Sequence, residues 1–345
     1  MGGGVHAEMA GIERLGEERR MPNQGKVILV TGSSSGFGDL SVRTLAKAGH
    51  RVFATMRDIR SRNREPAVKL SEWAQQEGFA LEVVELDVLD DTSVGDAVKT
   101  VVASAGRIDV VVNNAGAGAV GPIEAFSMEQ IKALFDLNAF GPLRVNKAVL
   151  PLMRKQRSGL IIHVTSTLGR ILPRRGGLYP ATKWAVEGLA ESLRYQVEPF
   201  GIDVVILEPG SFPTPAMSKA MIASDDGITE EYAKAEAKTP RRVSPPGSDY
   251  RLPDPQDVAD AVEHIVALPA GQRPLRVVAG PVFTEGVAEF NALYERARDS
   301  LAEWLKRPDQ AITWSRQSGR EVNVIFTATA SEPSPKTNRE KGSVV

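Results

Sequence analysis

The chain has 345 residues, which is enough to bury one substantial hydrophobic core or two small ones. Its 42% hydrophobic and 25% charged residues are the ordinary balance of a folded globular protein. The formal net charge of -1 gives no long-range attraction to nucleic acid or to an anionic membrane, and the absence of cysteine excludes disulfides, thiolate metal sites and thiol nucleophiles.

The two ends of the chain carry no targeting signal that we recognise. No run of about 18 apolar residues occurs, and residues 1–22 lack the apolar centre of a secretory signal. Gly2 does not indicate myristoylation, because His6 stands where that motif requires Ser or Thr. We therefore expect a cytoplasmic protein without nucleic-acid or membrane partners, with a disordered extension over 1–22 and a largely disordered tail over 307–345.

Apolar, β-branched runs alternate with segments of helical periodicity from about residue 25 to about residue 280. The predicted strands are 26–30, 51–55, 81–86, 109–112, 160–165, 203–207 and 275–278. The predicted helices lie near 37–48, 65–77, 92–105, 127–156, 179–199, 256–268 and 284–306. This alternation is typical of parallel βαβ units, so we predict an α/β fold of three layers, a doubly wound sheet of seven parallel strands with helices on both faces.

A proline-rich insert over about 211–255 interrupts the alternation and is too long for a simple connection. We interpret it as a lid within a single domain of residues 23–306. Four apolar residues indicate a hydrophobic inner surface of this lid, although packing of the insert on its own body explains them equally well: Phe212, Met217, Met221 and Ile222.

The first predicted strand runs directly into TGSSSGFG, with Gly32, Gly36 and Gly38 ahead of the next helix. Such glycines let the backbone approach a pyrophosphate, and the helix N-terminus supplies N–H donors with a partial positive charge. The segment therefore predicts a dinucleotide site.

Two other glycine patterns offer alternatives. GSSSG also matches a hydrolase nucleophile elbow with Ser34 as nucleophile and His264 downstream, but that elbow normally follows a strand deep in the sheet, and only a polar tail precedes this one. Gly116, Gly118 and Gly121 match GxGxxG after the fourth strand, where a wall of the cleft is the better interpretation.

The end of the second strand reads VFATMRD and bears on the choice of dinucleotide. Met56 stands where an acidic residue would bind a ribose 2′-hydroxyl, and Arg57 follows it. A guanidinium matches a 2′-phosphate in geometry and charge, which would give about a ten- to hundredfold preference for NADP(H). The alternative is that Arg57 is one of several arginines on a solvated segment.

Tyr179 and Lys183 lie four residues apart at the start of a predicted helix and therefore share a face. An ammonium about 4 Å from the phenol would contribute roughly 4 kcal/mol and lower the tyrosine pKa by up to about three units. Ser166 ends the preceding strand, where its hydroxyl could face the same cleft. Asn138 lies inside a predicted helix, where asparagine is mildly disfavoured.

Taken together, these motifs resemble the short-chain dehydrogenase/reductase family, in its single-domain branch of about 250 residues, over residues 25–280. The pattern TGxxxGxG, NNAG after the fourth strand, YxxxK and PGxxxT occur in the family's order. The resemblance implies a Rossmann fold and a catalytic tetrad of Asn138, Ser166, Tyr179 and Lys183.

In this family Tyr179 would exchange a proton with the substrate oxygen, Ser166 would bind that oxygen, Lys183 would hold the nicotinamide ribose and Asn138 would anchor a proton-relay water. No metal is implied. The resemblance, with the loop and strand-end patterns above, assigns cofactor contacts to Thr31, Gly32, Ser34, Ser35, Gly36, Phe37, Gly38, Arg57, Asp87, Val88, Asn114, Ala115, Gly116, Tyr179, Lys183, Pro209, Gly210, Phe212 and Thr214.

The leading hypothesis is therefore an NADP(H)-dependent alcohol dehydrogenase or carbonyl reductase that prefers NADP(H) over NAD(H) and acts on a small-molecule substrate. The family habit is a homodimer or homotetramer built through the helices near 127–156 and 179–199. The alternative is a regulatory protein that binds NADP(H) without turnover, which should have lost part of the tetrad. A nucleotide-sugar epimerase is disfavoured because the C-terminal part is too short for a sugar domain.

Overall fold

The computed structural model describes residues 25–173, 177–215, 218–237, 253–281 and 284–305. It divides into two compact units, Met1–Arg296 and Ala297–Val345. The first unit holds the sheet and its helices, and the second is described only over 297–305, the end of the last helix. The extensions predicted over 1–22 and 307–345 lie outside the described residues.

Seven parallel strands form the main sheet, which confirms the predicted fold class. The strands of the first unit are β1 Val27–Thr31, β2 Arg51–Met56, β3 Leu81–Glu85, β4 Val110–Asn113, β5 Ala119–Val120, β6 Gly159–Val164, β7 Ile202–Pro209, β8 Met221–Ile222 and β9 Arg276–Ala279. Their order in the main sheet is β3-β2-β1-β4-β6-β7-β9, while β5 and β8 pair in a separate two-stranded sheet. The chain reverses its winding direction between β1 and β4, where Rossmann folds bind dinucleotides.

The described helices lie close to their predicted positions. Their bounds are α1 Gly36–Lys47, α2 Arg64–Glu77, α3 Asp91–Ala105, α4 Met128–Phe135, α5 Gly141–Gln156, α6 Leu178–Val197, α7 Asp226–Ala237, α8 Gln256–Ala267 and α9 Glu285–Leu305. Among the described residues, no helix is both long enough and apolar enough to span a membrane.

The sheet is buried on both faces because successive side chains of each strand point to opposite sides. In β1, Ile28 and Val30 pack with α1, α2 and α8, whereas Val27 and Leu29 pack with α3, α5 and α6. The central strands β1 and β4 are therefore apolar up to their last residues, and polar groups of the site lie where they end.

Three features differ from the sequence prediction. The single helix predicted over 127–156 is two helices, α4 and α5, joined by a π-helical turn at Asp136–Phe140. The insert over 211–255 contains the helix α7 and the strand β8. Neither was predicted, because the insert is rich in proline. Strand β5 was not predicted, because its two residues are too few to show the alternation of a strand.

Candidate active site

A cleft of about 970 Å³ lies beyond the carboxyl ends of β1, β2, β4 and β6. Most of the predicted site residues line it: Gly32, Ser34, Ser35, Gly36, Phe37, Arg57, Asp87, Val88, Asn114, Ala115, Gly116, Ser166, Tyr179, Lys183, Gly210, Phe212 and Thr214. The other four, Thr31, Gly38, Asn138 and Pro209, do not line the cleft. The contacts of Thr31, Gly38 and Asn138 show how they shape its wall.

The glycine-rich loop leaves its backbone open to the cleft. Gly32 has a φ of 72°, and a Cβ on it would lie 2.8 Å from Ala115 Cα. A Cβ on Gly38 would lie 2.2 Å from the Gly32 carbonyl oxygen, so α1 begins in direct contact with the loop. The loop and helix N-terminus together form the backbone cradle that a pyrophosphate requires.

The loop is fixed to the end of β4 by Thr31 and Asn114. The Thr31 hydroxyl accepts hydrogen bonds from the backbone N–H groups of Asn114 and Ala115, each at 3.0 Å. The Asn114 amide donates to the carbonyl oxygens of Thr31 at 3.0 Å and Gly32 at 3.1 Å. Both residues therefore shape the cradle from behind, and the phosphate-binding surface itself is backbone.

The charges of the cleft favour an anionic ligand. Among its described lining residues, Arg57, Arg62, Lys183 and Lys219 are cationic, and Asp87 alone is anionic. Arg57 lies at the end of β2, with its NH1 atom 3.9 Å from Asp87 Oδ2. The guanidinium therefore lies beside the carboxylate of Asp87, which the sequence analysis also assigned to the cofactor site.

Tyr179 and Ser166 both line the cleft, and the Ser166 hydroxyl is close enough to the phenol to lower its pKa. Lys183 lies one helical turn beyond Tyr179, with its ammonium 5.7 Å from the centre of the phenol ring. That ammonium donates to the Val164 carbonyl oxygen at 2.9 Å. The three side chains predicted to share a face therefore meet where β6 ends and α6 begins.

The structure does not show the lowered pKa that the sequence predicted for Tyr179. Burial raises the pKa of Tyr179 to about 12, and the Ser166 hydroxyl opposes this increase only in part. Burial also lowers the pKa of Lys183 to about 8, while the Glu187 carboxylate opposes that decrease. The prediction was wrong because it considered only the effect of the Lys183 ammonium on the Tyr179 pKa and left out the effect of burial. Desolvation disfavours the charged form of each group, the phenolate of Tyr179 and the ammonium of Lys183.

Asn138 lies in the π-helical turn and is almost fully buried. Its amide donates to the Ala117 carbonyl oxygen at 2.9 Å and to Thr182 Oγ1 at 3.0 Å, and its carbonyl oxygen accepts from the Ala117 N–H at 2.9 Å. A Cβ on Gly116 would lie 3.0 Å from Asn138 Oδ1 and 3.9 Å from Lys183 Nζ. The side chain thus joins the segment after β4 to α6, and its contact with a relay water remains a prediction.

Sequence reasoning missed several residues of the cleft. Lys219, from the insert, donates to Ser35 Oγ at 2.8 Å. Arg62 and Asn63 line the end near Arg57, and Ile171 and Leu172 line the end near Tyr179. No motif marks them, because loops bring them to the site; a basic residue within a predicted lid was the one available signal.

The alternative hydrolase interpretation has no geometric support. Ser34 lines the cleft, but His264 lies in the last turn of α8, where its side chain is exposed and does not line the cleft.

A Rossmann-type sheet with a tyrosine, a lysine and a serine meeting in its cleft defines a class of oxidoreductases that act on CH–OH groups. The family model described as short chain dehydrogenase matches residues 26–225. The chain therefore belongs to the short-chain dehydrogenase/reductase family, and it is an enzyme of the oxidoreductase class that its relatives' names describe.

Three curated relatives illustrate the range of this similarity. A 3-ketodihydrosphingosine reductase of Bacteroides thetaiotaomicron is 36% identical over 61% of this chain and 72% of its own length. Human retinol dehydrogenase 8 is 32% identical over 80% of this chain and 90% of its own. The mouse 17-beta-hydroxysteroid dehydrogenase type 1 is 35% identical over 72% of each chain.

Solved structures show the same fold. A short-chain dehydrogenase from Streptomyces avermitilis matches with a TM-score of 0.62 and 31% identity, over 82% of this chain and 96% of its own. An alcohol dehydrogenase from Thermococcus sibiricus, complexed with 5-hydroxy-NADP, matches with a TM-score of 0.57 and 27% identity, over 73% and 95% of the two chains. A Burkholderia phymatum family member in complex with NAD shares the fold alone, with a TM-score of 0.61 and 21% identity over 84% and 98% of the chains. Both dinucleotides therefore occur among structures of this fold.

Proposed function

We propose that this protein is an NADP(H)-dependent alcohol dehydrogenase or carbonyl reductase, in which Tyr179 is the general acid/base. The meeting of Tyr179, Ser166 and the Lys183 ammonium in one cleft carries the proposal. When bound, the nicotinamide supplies or accepts the hydride. The chain itself holds the substrate oxygen between the Ser166 and Tyr179 hydroxyls and moves the proton at the phenol oxygen.

The high pKa of Tyr179 favours carbonyl reduction. A phenol with a pKa of about 12 holds its proton at neutral pH, which is the state required to protonate a carbonyl oxygen. Alcohol oxidation needs the phenolate, so positive charge beside the phenol must first lower its pKa. Lys183 supplies part of that charge from within the chain.

The residues of the cleft fit a dinucleotide with a 2′-phosphate. The glycine cradle leaves no room for a Cβ at Gly32 or Gly38, and the cationic lining suits three phosphate groups. Arg57 is about two-fifths exposed, so its contribution is partly screened by solvent, and the neighbouring Arg62 adds to it. The complex of the similar Thermococcus protein with an NADP derivative supports the same choice.

We further propose an apolar alcohol or ketone as the substrate. Leu168, Ile171 and Leu172, which follow Ser166 in the chain, line the cleft together with Phe212, and Leu172 is two-thirds exposed. Phe212 packs edge-on against Phe37, with ring centres 5.5 Å apart. Met221 and Ile222 form β8, whereas Met217 lies outside the described residues. The names of the relatives, a ketosphingolipid reductase, a retinol dehydrogenase and a steroid dehydrogenase, support this substrate class.

A cytoplasmic location and a homodimer or homotetramer complete the proposal. Phe140 and Leu143 at the start of α5, and Trp184 and Leu189 on α6, are large apolar side chains that are 37–48% exposed. Such a surface supports association through these helices. Light scattering after size exclusion measures the oligomeric state, and a monomer would contradict this part.

The test of function is consumption of NADPH, followed at its absorbance band, with a panel of apolar and polar ketones and aldehydes. Turnover of apolar ketones with NADPH, and slower turnover with NADH at equal concentration, is the expected result. Binding of NADPH without turnover of any substrate would favour the cofactor-sensing alternative instead.

A further inference from the structure

Behind the cleft lies a cluster of five buried ionisable side chains that do not line it: Arg170, Glu187, Glu191, Glu208 and Arg276. None is more than 9% exposed. Burying ionisable groups is costly unless they are paired, and an apolar core of the same volume would often be as stable. The cluster therefore calls for a role beyond stability.

The groups are held by short, directed bonds. Arg276 pairs through Nε with Glu187 at 3.0 Å and through NH2 with Glu191 at 2.6 Å. Glu208 accepts from the Asn291 amide at 2.6 Å, and Asn291 Oδ1 accepts from Arg170 Nε at 2.7 Å. Arg276, itself held by Glu191, therefore holds the Glu187 carboxylate in a fixed position.

The cluster also joins distant elements of the first unit. Glu187 lies on α6, Glu208 on β7 and Arg276 on β9, while Arg170 follows β6 and Asn291 lies on α9. The Arg170 guanidinium stacks on Phe290 and Tyr294 of α9, 4.7 Å from each ring centre. The first part of α9 is thereby tied to the turn that carries Ser166.

Two contacts lead from Glu187 to the catalytic residues. Thr165, the residue before Ser166, donates its hydroxyl proton to Glu187 Oε1 at 2.8 Å. Glu187 lies one helical turn after Lys183, and a Cβ on Gly169 would lie 3.2 Å from Glu187 Cγ and 3.4 Å from Lys183 Cβ. The Ser166 turn therefore packs directly against both side chains.

The two buried carboxyl groups, Glu187 and Glu208, differ in their protonation. Among the described residues, Glu208 Oε1 has no hydrogen-bond partner, and burial raises the pKa of Glu208 to about 8, so Glu208 is protonated at neutral pH. Burial raises the pKa of Glu187 as well, but Arg276 and Thr165 donate hydrogen bonds to its carboxylate and oppose that increase, so Glu187 is the ionised member of the two. Lys183 faces Tyr179 and Glu187 on α6 and the neutral His163 on β6, which leaves Glu187 as its anionic neighbour within this group.

We propose that Glu187 is a positioning residue that acts through Lys183 and Thr165, and that Arg276, with α9 behind it, holds the Glu187 carboxylate in place. The carboxylate keeps Lys183 protonated over the working pH range and anchors the Ser166 turn. The inference rests on the proposed function, because the state of Lys183 matters only if Tyr179 is the acid/base.

The test compares Glu187→Gln with Glu191→Gln. The first removes the negative charge beside Lys183 but keeps an oxygen for Thr165; the second removes the other partner of Arg276, one turn further away. The kcat for ketone reduction and the Kd for NADPH are measured from pH 6 to pH 10 for both variants and the wild type. The Kd supplies a readout that does not depend on turnover.

We expect kcat of the wild type to fall near pH 8, where Lys183 loses its proton. In Glu187→Gln this fall, and the matching loss of NADPH affinity, moves to lower pH by roughly one unit, which is about a fivefold loss at pH 8 and approaches about tenfold at higher pH. The KM for the ketone changes little. Glu191→Gln keeps the wild-type profile although its melting temperature falls.

An unshifted profile in Glu187→Gln, or an equal shift in both variants, overturns the inference. A wild type without turnover would overturn the proposed function itself, so the two failures differ. If Glu187→Gln does not fold because Arg276 loses one of its carboxylate partners, the double variant Glu187→Gln/Arg276→Met removes both charges together. The double variant is expected to fold and still lose NADPH affinity at a lower pH than the wild type.

Discussion

The ammonium group of Lys219 donates a hydrogen bond to the Ser35 hydroxyl over 2.8 Å. Ser35 is the N-cap of α1, so this contact places a lysine of the insert over the expected position of the pyrophosphate. The insert therefore touches the glycine-rich loop.

We predict that Lys219→Met weakens NADPH binding about tenfold, because a charge-assisted contact to phosphate is lost. Binding of adenosine 2′-phosphate, which has no pyrophosphate, should not change. Titration of protein fluorescence measures both constants. Lys234→Met, on α7, is the matched control and should not change either constant. An equal loss of affinity for NADPH and adenosine 2′-phosphate would contradict a contact between Lys219 and the pyrophosphate.

Arg57→Gln should reduce the preference for NADPH over NADH. The guanidinium at the end of β2 is the group best placed for a 2′-phosphate, and its removal should cost roughly tenfold in NADPH affinity with little change for NADH. The measurement is the rise in melting temperature that each dinucleotide causes, since ligands that bind the folded state stabilise it. Arg60→Gln serves as the control, because Arg60 is exposed and does not line the cleft.

Tyr179→Phe should keep NADPH affinity within about twofold and lose at least about a hundredfold in kcat, since it removes only the hydroxyl that exchanges the proton. Steady-state rates with the best ketone of the panel give kcat, and the fluorescence titration gives Kd. A variant with wild-type turnover would refute the acid/base assignment.

His163 makes folding stability depend on pH. Its Nε2 lies 3.2 Å from Asn146 Nδ2, which is a donor, so the ring accepts there and must be neutral. Burial lowers the His163 pKa from 6.5 to about 4. Between these values the unfolded chain binds the proton and the folded chain does not, so stability is lost as pH falls from 6.5 towards 4, by up to about 3 kcal/mol.

Urea unfolding between pH 4 and pH 8 measures this loss. His163→Gln, which keeps an acceptor for Asn146, should show a smaller decline in the free energy of unfolding than the wild type. His264→Gln is the control and should follow the wild type. Equal declines for the wild type and His163→Gln would mean that the buried ring is protonated in the fold.

The sequence predicts most of this architecture because its signals are local. Strands such as β1 and β4 are nearly continuous apolar runs, and Thr31, Gly32, Tyr179 and Lys183 occur in recognisable motifs. Asn138 was predicted on the family pattern, but its bonds to Ala117 and Thr182 could not be foreseen, because they join residues far apart in the chain.

What the sequence does not predict depends on tertiary burial. The pKa of Tyr179 follows from how completely the cleft floor excludes water, and no spacing rule carries that information. Glu187, Glu208 and Arg276 look like ordinary surface charges of a helix and two strand ends until the fold brings them together.

The π-helical turn at Asp136–Phe140 contains one residue more than an α-helix would need, since the Gly141 N–H bonds to the Asp136 carbonyl oxygen five residues back. Excising a single residue there would restore regular winding and leave Val145, Val149 and Met153 in register with the sheet. The same excision would swing the Asn138 amide about 100° from Ala117. We therefore expect this one-residue insertion to serve the orientation of Asn138 rather than the packing of α5 on the sheet.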